Sequence, residues 1–413
     1  MERRRVTFST KRRIDYWVGG SVLLLLFPLV RLLGLAMRRD HSLARRKGCV
    51  VIKMVGGGSL FLAMPSLQAI RGQFPAGSFI LIGTRAVTDV ARDHDWFDAC
   101  WTIDDTTIAR LLISTMRVLW RAAREADHLI DLEVHSRLTT LLGLLTTIRN
   151  RIGFVDEIVF WRRGFYTHMT YFNAHGPVYA FYDVLAEWFG IARVEVSAFN
   201  AKFRHRVLAA RLPPGTIETR RYVAIGHGCS DFGKERQLTP REWKRVLWPL
   251  SVAGFDFVFL GAQGDGDMAD AIIAELGRGV NLCGRLSLLQ SAKVIARASS
   301  FYGIDSMLLH FARALAVETV SIWGPTSPET RLRPTGTAER VAFAKMPCSP
   351  CIHVHEMPPC QGRRDCIAHA VESLVTRSQE GVAIATSQPV GVVTGWDVDP
   401  RAREVRAASI HYA

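Results

Sequence analysis

Polar side chains follow two neighbouring apolar stretches in the C-terminal half of the chain. Asp305 and Ser306 follow one apolar run, His310 lies about one helical turn further on, and Thr326 follows a second apolar run. At the carboxyl edge of a parallel sheet, loop amides and helix N-termini point outward, so such residues suit an anionic ligand. The Ser306 hydroxyl and the amides after it can receive an oxyanion, and His310 can donate to a second phosphate oxygen or hold Asp305. The alternative is that Ser306 is only an N-cap and His310 a core histidine.

These residues need a parallel sheet, and the chain has the pattern of one. Of its 413 residues, 48% are hydrophobic and 22% charged, which is ordinary for globular proteins and predicts two domains of roughly 150 to 200 residues. Short β-branched runs alternate with amphipathic segments, which predicts βαβ units. We therefore expect an α/β fold with two Rossmann-like halves facing each other across a cleft. The predicted strands are 49–54, 79–84, 99–103 and 128–133, and, after a linker at 211–216, 222–227, 255–261, 280–283, 300–304 and 319–323.

The net charge of +14 is concentrated at the N-terminus, where residues 1–47 carry twelve Arg or Lys and three acids. The uncharged run 16–30 would form a helix of about 22 Å, shorter than a hydrocarbon core of roughly 30 Å. Extension to Met37 would give enough length, but it brings Asp15 and Arg31 towards the ends of the helix, and Pro28 would bend it. We predict an in-plane or re-entrant anchor on an anionic cytoplasmic leaflet, and hence an inner-membrane surface as a partner. The alternative, a secretory signal, is disfavoured by the basic run that follows. A nucleic-acid partner is not expected, because no basic stripe or binding motif lies elsewhere.

Four of the eight cysteines are clustered near the C-terminus in the pattern C-x2-C-x8-C-x5-C. Such spacing in a cytoplasmic protein is compatible with a structural zinc ion, one or two disulfides, or free thiols. A catalytic metal is not expected, since four thiolates would leave no open position. The candidate zinc ligands are Cys348, Cys351, Cys360 and Cys366, with His353 and His355 as substitutes.

The ordered set of motifs resembles the family 9 glycosyltransferases, the lipopolysaccharide heptosyltransferases and their relatives. The resemblance covers roughly residues 48–375 and is more specific in the second half. The C-terminal motifs are Gly226-His-Gly, Lys234, Pro240-Arg-Glu-Trp, Phe259-Leu-Gly-Ala-Gln-Gly-Asp-Gly-Asp, Asn281-Leu-Cys-Gly-Arg, Gly303-Ile-Asp-Ser and Trp323-Gly-Pro-Thr-Ser-Pro. The N-terminal motifs are Lys53-Met-Val-Gly-Gly-Gly-Ser, Asp131-Leu-Glu, Ser136-Arg and Arg151-Ile-Gly-Phe. No Gly-x-Gly-x-x-Gly or Walker motif is present, so nicotinamide chemistry and NTP hydrolysis have little support.

The resemblance implies a two-domain GT-B enzyme that acts on a membrane glycolipid. Together with the N-terminal membrane-associated helix predicted above, this places the protein at the cytoplasmic face of the bacterial inner membrane, as a peripheral or monotopic protein. It would be an inverting transferase that moves heptose or a related sugar from a nucleotide-diphosphate donor, ADP-linked, to a glycolipid acceptor such as lipopolysaccharide core. No cofactor is expected for catalysis. The donor-binding residues would be Lys234, His227, Asp265, Asp267, Asp305, Ser306, His310, Gly324 and Thr326.

One departure from the family pattern concerns the catalytic base. Family members usually carry Gly-Asp where this chain has Gly58-Ser59, and a hydroxyl is a poor proton acceptor near neutral pH. Glu133 or Asp131, two apart at the end of a strand and so on one face, is the predicted substitute. The alternatives are that these acids only cap the next helix, and that the protein binds a nucleotide-sugar without catalysis. An epimerase of the same architecture is a third possibility.

The acceptor is expected in the N-terminal half. The predicted acceptor-binding residues are Gly57, Gly58, Arg137, Arg162 and Arg163, in a region that also carries the basic and aromatic residues Arg149, Arg151, Trp161, Tyr166 and His168. The alternative is a solvated basic face with aromatic core residues. The predicted domains are 1–47, a membrane-associating segment; 48–212, the acceptor domain; 213–345, the nucleotide-sugar domain; 346–386, a Cys-rich segment and return helix; and 387–413, a loosely ordered tail.

Overall fold

The computed structural model describes residues 13–37, 40–44, 46–156, 159–217, 221–229, 233–334, 336, 338–352 and 360–379. The described chain divides into two compact units. Unit 1 comprises its residues up to Ala174 together with Ala180–Glu195, and unit 2 comprises His175–Tyr179 and the residues from Val196 onward. The predictions for residues 387–413, and for His353 and His355 as metal ligands, lie outside the described residues.

Unit 1 is built on a parallel six-stranded sheet in the order β3-β2-β1-β4-β5-β6. Its strands are β1 (Cys49–Ile52), β2 (Phe79–Thr84), β3 (Ala99–Ile103), β4 (His128–Asp131), β5 (Asn150–Val155) and β6 (His168–Tyr171). Its helices are α1 (Gly20–Met37, extended by a π-helical turn at Asp15–Gly19), α2 (Gly57–Arg71), α3 (Arg85–Asp93), α4 (Ile108–Glu125) and α5 (Arg137–Leu145). The order reverses between β1 and β4, so the loops after these two strands lie side by side. This is the switch point at which open α/β sheets bind ligands.

Unit 2 repeats this architecture with the sheet order β12-β11-β10-β7-β8-β9. Helix α6 (Val178–Trp188) has its first two residues assigned to unit 2 and the others to unit 1, and α7 (Val196–Ala209) precedes the sheet of unit 2 in the chain. The strands are β7 (Tyr222–Gly226), β8 (Asp256–Phe259), β9 (Val280–Asn281), β10 (Ser300–Ile304), β11 (Thr319–Trp323) and β12 (Glu339–Phe343). The remaining helices are α8 (Pro240–Val252), α9 (Gly266–Leu276), α10 (Leu288–Arg297), α11 (Met307–Ala314), α12 (Pro328–Arg331) and α13 (Asp365–Gln379). In this sheet the order reverses between β7 and β10, which are paired with each other.

The N-terminal helix is docked on unit 1 by a polar cap. The carboxylate of Asp15 accepts hydrogen bonds from the Ser136 hydroxyl and from the Arg137 and Leu138 amides, at 2.8, 3.0 and 2.8 Å. It therefore satisfies amides at the start of α5 that have no partner within that helix. Further along, Leu23 is buried against Phe165 and Tyr166. The helix from Asp15 to Met37 is long and apolar enough to cross a membrane, and only 11% of its most apolar stretch is buried.

The α/β fold with two parallel sheets confirms the fold predicted from the sequence, and all nine predicted strands are present. Two boundaries are now defined. The N-terminal helix continues beyond the uncharged run 16–30 and includes the extension to Met37. The division between units lies near residue 195 rather than 212, because α7 packs on α10 and α11 of unit 2.

Candidate active site

The loop after β10 contains a buried ion pair. Asp305 is 6% exposed, and Nη1 of Arg236 donates to its backbone oxygen at 2.7 Å and to its Oδ2 at 3.2 Å. Burial raises the pKa of Asp305, but the neighbouring guanidinium groups of Arg236 and Arg331 outweigh it, so the pKa lies below its ordinary value. Asp305 is therefore an anion that fixes the backbone from which α11 starts.

Three polar atoms around this ion pair are buried and have no hydrogen-bond partner among the described residues. They are Oγ of Ser306, Nδ1 of His310 and Oγ1 of Thr326, the last of which lies near enough to the Asp305 carboxylate to help lower its pKa. Ser306 is the N-cap of α11, yet its hydroxyl makes no cap hydrogen bond. A buried donor or acceptor without a partner costs roughly 1 to 3 kcal/mol, so three in one place indicate a ligand that completes them. Burial lowers the pKa of His310 to about 4, so its imidazole is neutral at neutral pH and carries a single N–H.

His227 and Asp265 form a second pair at the same sheet edge. His227 follows β7, which is paired with β10, and its Nε2 lies 3.0 Å from the backbone oxygen of Asp265. Burial lowers the pKa of His227, and its Nδ1 is also buried without a partner. The Asp265 carboxylate accepts from the Ala262 amide at 2.8 Å and lies against Gly228, where a Cβ would come within 2.4 Å of it. The close approach explains why glycine follows His227.

The other predicted donor residues lie at the same end of the sheet with different surroundings. Lys234 is exposed in a short 3-10 turn that ends at Arg236. Asp267 is exposed in the first turn of α9. Gly324 follows β11 and has a packing role, because a Cβ there would lie 2.8 Å from Sγ of Cys366.

In unit 1 the loops after β1 and β4 are joined by Glu133. Its Oε1 accepts hydrogen bonds from Nζ of Lys53 at 3.1 Å and from the amides of Met54 and Val55 at 2.7 and 2.9 Å. The side chain is 18% exposed, and Oε2 has no hydrogen bond within the described part of the chain. Glu133 is thus a carboxylate with one oxygen fixed by hydrogen bonds and one oxygen available. The residues that fix it, Lys53 to Val55, immediately precede the glycine loop Gly56-Gly-Gly-Ser59.

The glycine loop starts α2. Gly56 has a φ of +86°, and Leu60 is the first residue whose amide bonds back to it, so the amides of Gly57, Gly58 and Ser59 precede the helical hydrogen-bond pattern. The Ser59 hydroxyl donates to the Gly56 oxygen at 2.8 Å. Ser59 therefore stabilises the turn and contains no group that can act as a base.

Asp131 and Arg162 correct two sequence-based assignments. Both side chains are fully buried, and Nη2 of Arg162 lies 2.5 Å from Oδ2 of Asp131. The Tyr166 hydroxyl and Oγ1 of Thr139 also donate to this carboxylate. Burial raises the pKa of the Tyr166 hydroxyl, which keeps it a donor. A group with no exposure can reach neither an acceptor hydroxyl nor a glycolipid phosphate, so Asp131 does not suit the role of base and Arg162 does not suit acceptor binding.

The remaining acceptor candidates lie near the N-terminal helix. The Arg137 guanidinium stacks on the rings of Tyr16 and Trp161, with its Cζ at 4.5 and 4.9 Å from their centroids. Arg163 is exposed, and it precedes Gly164, which is in contact with Phe27 of α1. These arginines are therefore placed where the apolar helix meets unit 1.

The clustered cysteines are free thiols in the structure. Cys351 and Cys366 are buried, and Cys348 and Cys360 are partly buried. Burial raises the pKa of the Cys351 and Cys366 thiols. Within the described residues, no group of three or more His, Cys, Asp or Glu side chains is positioned to hold a metal ion. The structural zinc ion stays a prediction.

Sequence reasoning assigned no role to Lys53, Arg236 or Arg331. Lys53 is only 5% exposed directly after β1, and a charged residue at the end of an apolar strand is the signal that could have identified it. Arg236 ends a 3-10 turn and Arg331 ends the short helix α12, positions where an arginine is expected to be solvated, and no pattern indicates that they pair with Asp305.

The sequence matches the pattern of one known protein family. The sequence pattern described as "Glycosyltransferase family 9 (heptosyltransferase)" matches residues 116–360, more than half of the chain. Lipopolysaccharide heptosyltransferase 1 of Pseudomonas aeruginosa is 41% identical over 71 residues, which are 16% of this chain and 19% of that protein, so the match spans about a fifth of its length.

Solved structures of the same family share the fold. E. coli ADP-heptose LPS heptosyltransferase II has a TM-score of 0.57 at 16% identity, covering 80% of this chain and 99% of that one. A family 9 glycosyltransferase from Veillonella parvula has a TM-score of 0.58 at 16% identity, covering 82% and 100%. E. coli heptosyltransferase WaaC with ADP-2-deoxy-2-fluoro heptose has a TM-score of 0.57 at 15% identity, covering 80% and 99%. At these sequence identities, the structural similarity establishes only the fold. The family is established by the sequence pattern that matches residues 116–360. The chain belongs to glycosyltransferase family 9, as its motifs predicted.

Proposed function

We propose that this protein is an inverting glycosyltransferase that moves heptose or a related sugar from an ADP-linked donor to a lipid-linked saccharide, such as lipopolysaccharide core. Membership of family 9 supports the transferase class. The E. coli relative solved with ADP-2-deoxy-2-fluoro heptose supports an ADP-linked donor. The proposal places the donor on unit 2 and the base on unit 1.

The observation that carries the proposal is the set of unpartnered buried atoms of Ser306, His310 and Thr326 beside the Asp305–Arg236 ion pair. Two hydroxyl donors, a neutral imidazole and the first amides of α11 match the oxygens of a diphosphate. In the reaction the acceptor oxygen attacks the anomeric carbon from the side opposite the diphosphate, and the bond from that carbon to the diphosphate oxygen breaks. The leaving diphosphate gains negative charge, which the hydroxyls, the helix amides and Lys234 stabilise.

Glu133 is the proposed base. The proton of the acceptor hydroxyl would pass to Oε2, while Oε1 stays fixed by Lys53 and the two loop amides. Ser59 does not compete for this role, because its hydroxyl donates to a backbone oxygen. The amides of the glycine loop would bind polar groups of the acceptor.

The N-terminal helix would keep unit 1 at the cytoplasmic face of the inner membrane, where a glycolipid acceptor resides. Its exposed apolar residues have no cover among the described residues, and Asp15 ties it to the start of α5, three residues after Glu133. An anchor docked in this way brings the proposed base close to the lipid surface.

Donor binding is tested by calorimetry with ADP-heptose and with UDP-sugars, on the full chain and on Ser306→Ala and Thr326→Val. We expect ADP-heptose to bind and each variant to weaken it about tenfold, because each removes one hydrogen bond to a charged group. Ser251→Ala on α8 is the matched control and should bind as the wild type does. Wild-type binding that is absent, or unchanged in both variants, would contradict the donor site.

The base is tested by transfer to a lipid-linked acceptor. Glu133→Gln keeps the shape of the side chain but cannot take a proton, so we expect turnover to fall about 100-fold or more with donor affinity unchanged. The departure at Ser59 motivates the alternative, a protein that binds a nucleotide-sugar without catalysis. Donor binding with no wild-type turnover on any acceptor would favour that alternative.

A further inference from the structure

Helix α4 exposes an apolar surface that the transferase chemistry does not use. Ile108, Leu112, Met116 and Trp120 recur every four residues, which places them on one side of the helix, and each is between 60% and 78% exposed. We call these four residues the α4 stripe. Leu111 and Ile113 are exposed beside it.

The opposite side of α4 is also apolar. Val118 and Ala122 are buried in the core of unit 1 together with Leu142 of α5. A surface helix normally turns a charged face to solvent. On α4, the side furthest from the core is instead apolar, although it is exposed to water. A large exposed apolar patch of this kind marks an interaction site.

Arginines border the stripe along one side. Arg110, Arg117 and Arg124 are exposed, and the Arg124 guanidinium lies over the Trp120 ring at 4.4 Å from its centroid. Arg117 has no ion pair within the described residues. It also lines a pocket of about 270 Å³ together with Arg92 and Arg121, which form ion pairs with Asp89 and Glu125.

The stripe belongs to the side of unit 1 that carries the N-terminal helix. Val118 of α4 and Leu142 of α5 enter the same core, so both helices cover one face of the sheet, and α1 packs on α5. Leu24, Leu25 and Leu32 of α1 are between 65% and 76% exposed. Two exposed apolar surfaces thus occur on helices of one face of the sheet.

We propose that the α4 stripe and its bordering arginines contact an anionic phospholipid bilayer, with the apolar side chains at the boundary between headgroups and acyl chains. A membrane surface matches both the apolar stripe and the arginines that border it, because a bilayer has an apolar layer directly beneath negatively charged phosphates. Trp120 beside Arg124 suits the interface, where an amphipathic ring and a cation both find partners. Unit 1 then has a second membrane contact besides α1, which restrains how it can turn on the surface. The proposal does not depend on the identity of the donor or acceptor.

The first experiment measures the depth of Trp120 in the full chain. Vesicles contain phosphatidylcholine and about one third phosphatidylglycerol, with the acyl chains brominated near the headgroup, so that bromine quenches tryptophans at that depth. We expect wild-type emission to be quenched more than that of Trp120→Phe. Trp248→Phe, which removes an exposed tryptophan of α8 in unit 2, should be quenched like the wild type. Equal quenching of wild type and Trp120→Phe would overturn the proposal.

The second experiment measures partition between water and vesicles over a lipid titration. Leu112→Ser/Met116→Ser/Trp120→Ser should weaken partition roughly tenfold to a hundredfold, given the apolar area removed. The control Trp248→Ser/Val252→Ser removes exposed apolar residues of α8 and should leave partition unchanged. Arg117→Gln/Arg124→Gln should weaken binding to anionic vesicles and not to neutral ones.

A second copy of this chain is the competing occupant. It would give a solution mass of two chains that falls to one in the triple stripe variant, and that result would also overturn the proposal. All the substituted side chains are exposed, so thermal unfolding should be unchanged in each variant, which separates loss of binding from loss of folding.

Discussion

Replacing Arg236 by Met tests whether the buried charge of Asp305 depends on its partner. The guanidinium and carboxylate are 3.2 Å apart, and the two side chains are 13% and 9% exposed. At an effective dielectric constant of about 20, unit charges at this distance attract by roughly 5 kcal/mol, and removing one partner of a buried pair costs about 3 to 5 kcal/mol. Because Arg331 also lowers the pKa of Asp305, we expect the lower end, about 3 kcal/mol, in the free energy of unfolding of unit 2.

The double variant Arg236→Met/Asp305→Asn separates charge from packing. It also removes the buried carboxylate that Arg236→Met leaves without its partner. Its free energy of unfolding should therefore be about 1 to 2 kcal/mol higher than that of Arg236→Met alone. The pH dependence has a defined sign. The pKa of Asp305 is lowered in the folded wild type, so its stabilising effect is present above the ordinary carboxyl pKa of about 4 and is lost as the pH falls below it. In Arg236→Met the folded pKa rises, so the difference from wild type should shrink as the pH approaches about 4.

The assay is urea unfolding followed by the fluorescence of Trp243 and Trp323, which are fully buried in unit 2. The matched control is Arg278→Met, because Arg278 and Asp256 form an ion pair at 3.9 Å with both side chains about 40% exposed. Such a surface pair contributes at most about 1 kcal/mol. The reasoning is refuted if Arg236→Met costs no more than the control, or if the double variant is no more stable than the single one.

The other predictions concern pH, the helix cap and a glycine. The pKa of His310 is about 4 in the folded state and about 6.5 in the unfolded state. Between these pH values His310 is protonated in the unfolded state only, so the free energy of unfolding rises with pH. Stability should fall by about 2 kcal/mol from pH 7 to pH 5 in urea unfolding, and His310→Asn should lack that part of the loss. Asp15→Ala removes the cap on Ser136 and the start of α5, so unit 1 should lose about 1 to 2 kcal/mol, and limited proteolysis should cut next to α1 sooner. An unchanged cleavage rate would contradict the docking. Gly324→Ala places a Cβ 2.8 Å from Sγ of Cys366 and should lower the thermal midpoint by several degrees, about 1 to 3 kcal/mol; an unchanged midpoint would show that α13 can shift.

Three strands have no predicted counterpart: β5, β6 and β12, which begin with Asn150, His168 and Glu339. A polar first residue alone does not separate them from predicted strands, since β4 begins with His128 and β8 with Asp256. β6 and β12 are edge strands with one neighbour each, so they need less apolar surface than a central strand. β5 is internal, and its fully buried Asn150 makes hydrogen bonds to Ser42 and His128 that only the tertiary structure provides.

Site residues that directly follow a strand could be predicted from the sequence. Contacts between residues that are far apart in the sequence could not. Asp305, Ser306 and His310 come directly after β10, and their place at the sheet edge follows from the chain itself. Arg236 reaches Asp305 across 69 residues of sequence, so no local pattern could identify the pair. Arg162 illustrates the opposite error. An arginine in a basic stretch is expected in solvent, whereas this one is fully buried and pairs with Asp131 at the end of β4.

The buried network around Arg162 links the N-terminal helix of unit 1 to the proposed base. Nη1 of Arg162 donates to the backbone oxygens of Glu133 and Val134 at 2.8 and 2.9 Å, and Oδ1 of Asp131 accepts from the Glu133 amide at 2.9 Å. Tyr166, which donates to Asp131, also packs against Leu23 of α1. A buried ion pair is weak evidence for stability, because desolvation offsets its attraction, but it fixes geometry when its hydrogen bonds are satisfied. Here the fixed element is the backbone of Glu133, so one continuous set of buried contacts joins the N-terminal helix to the carboxylate proposed to take the acceptor proton.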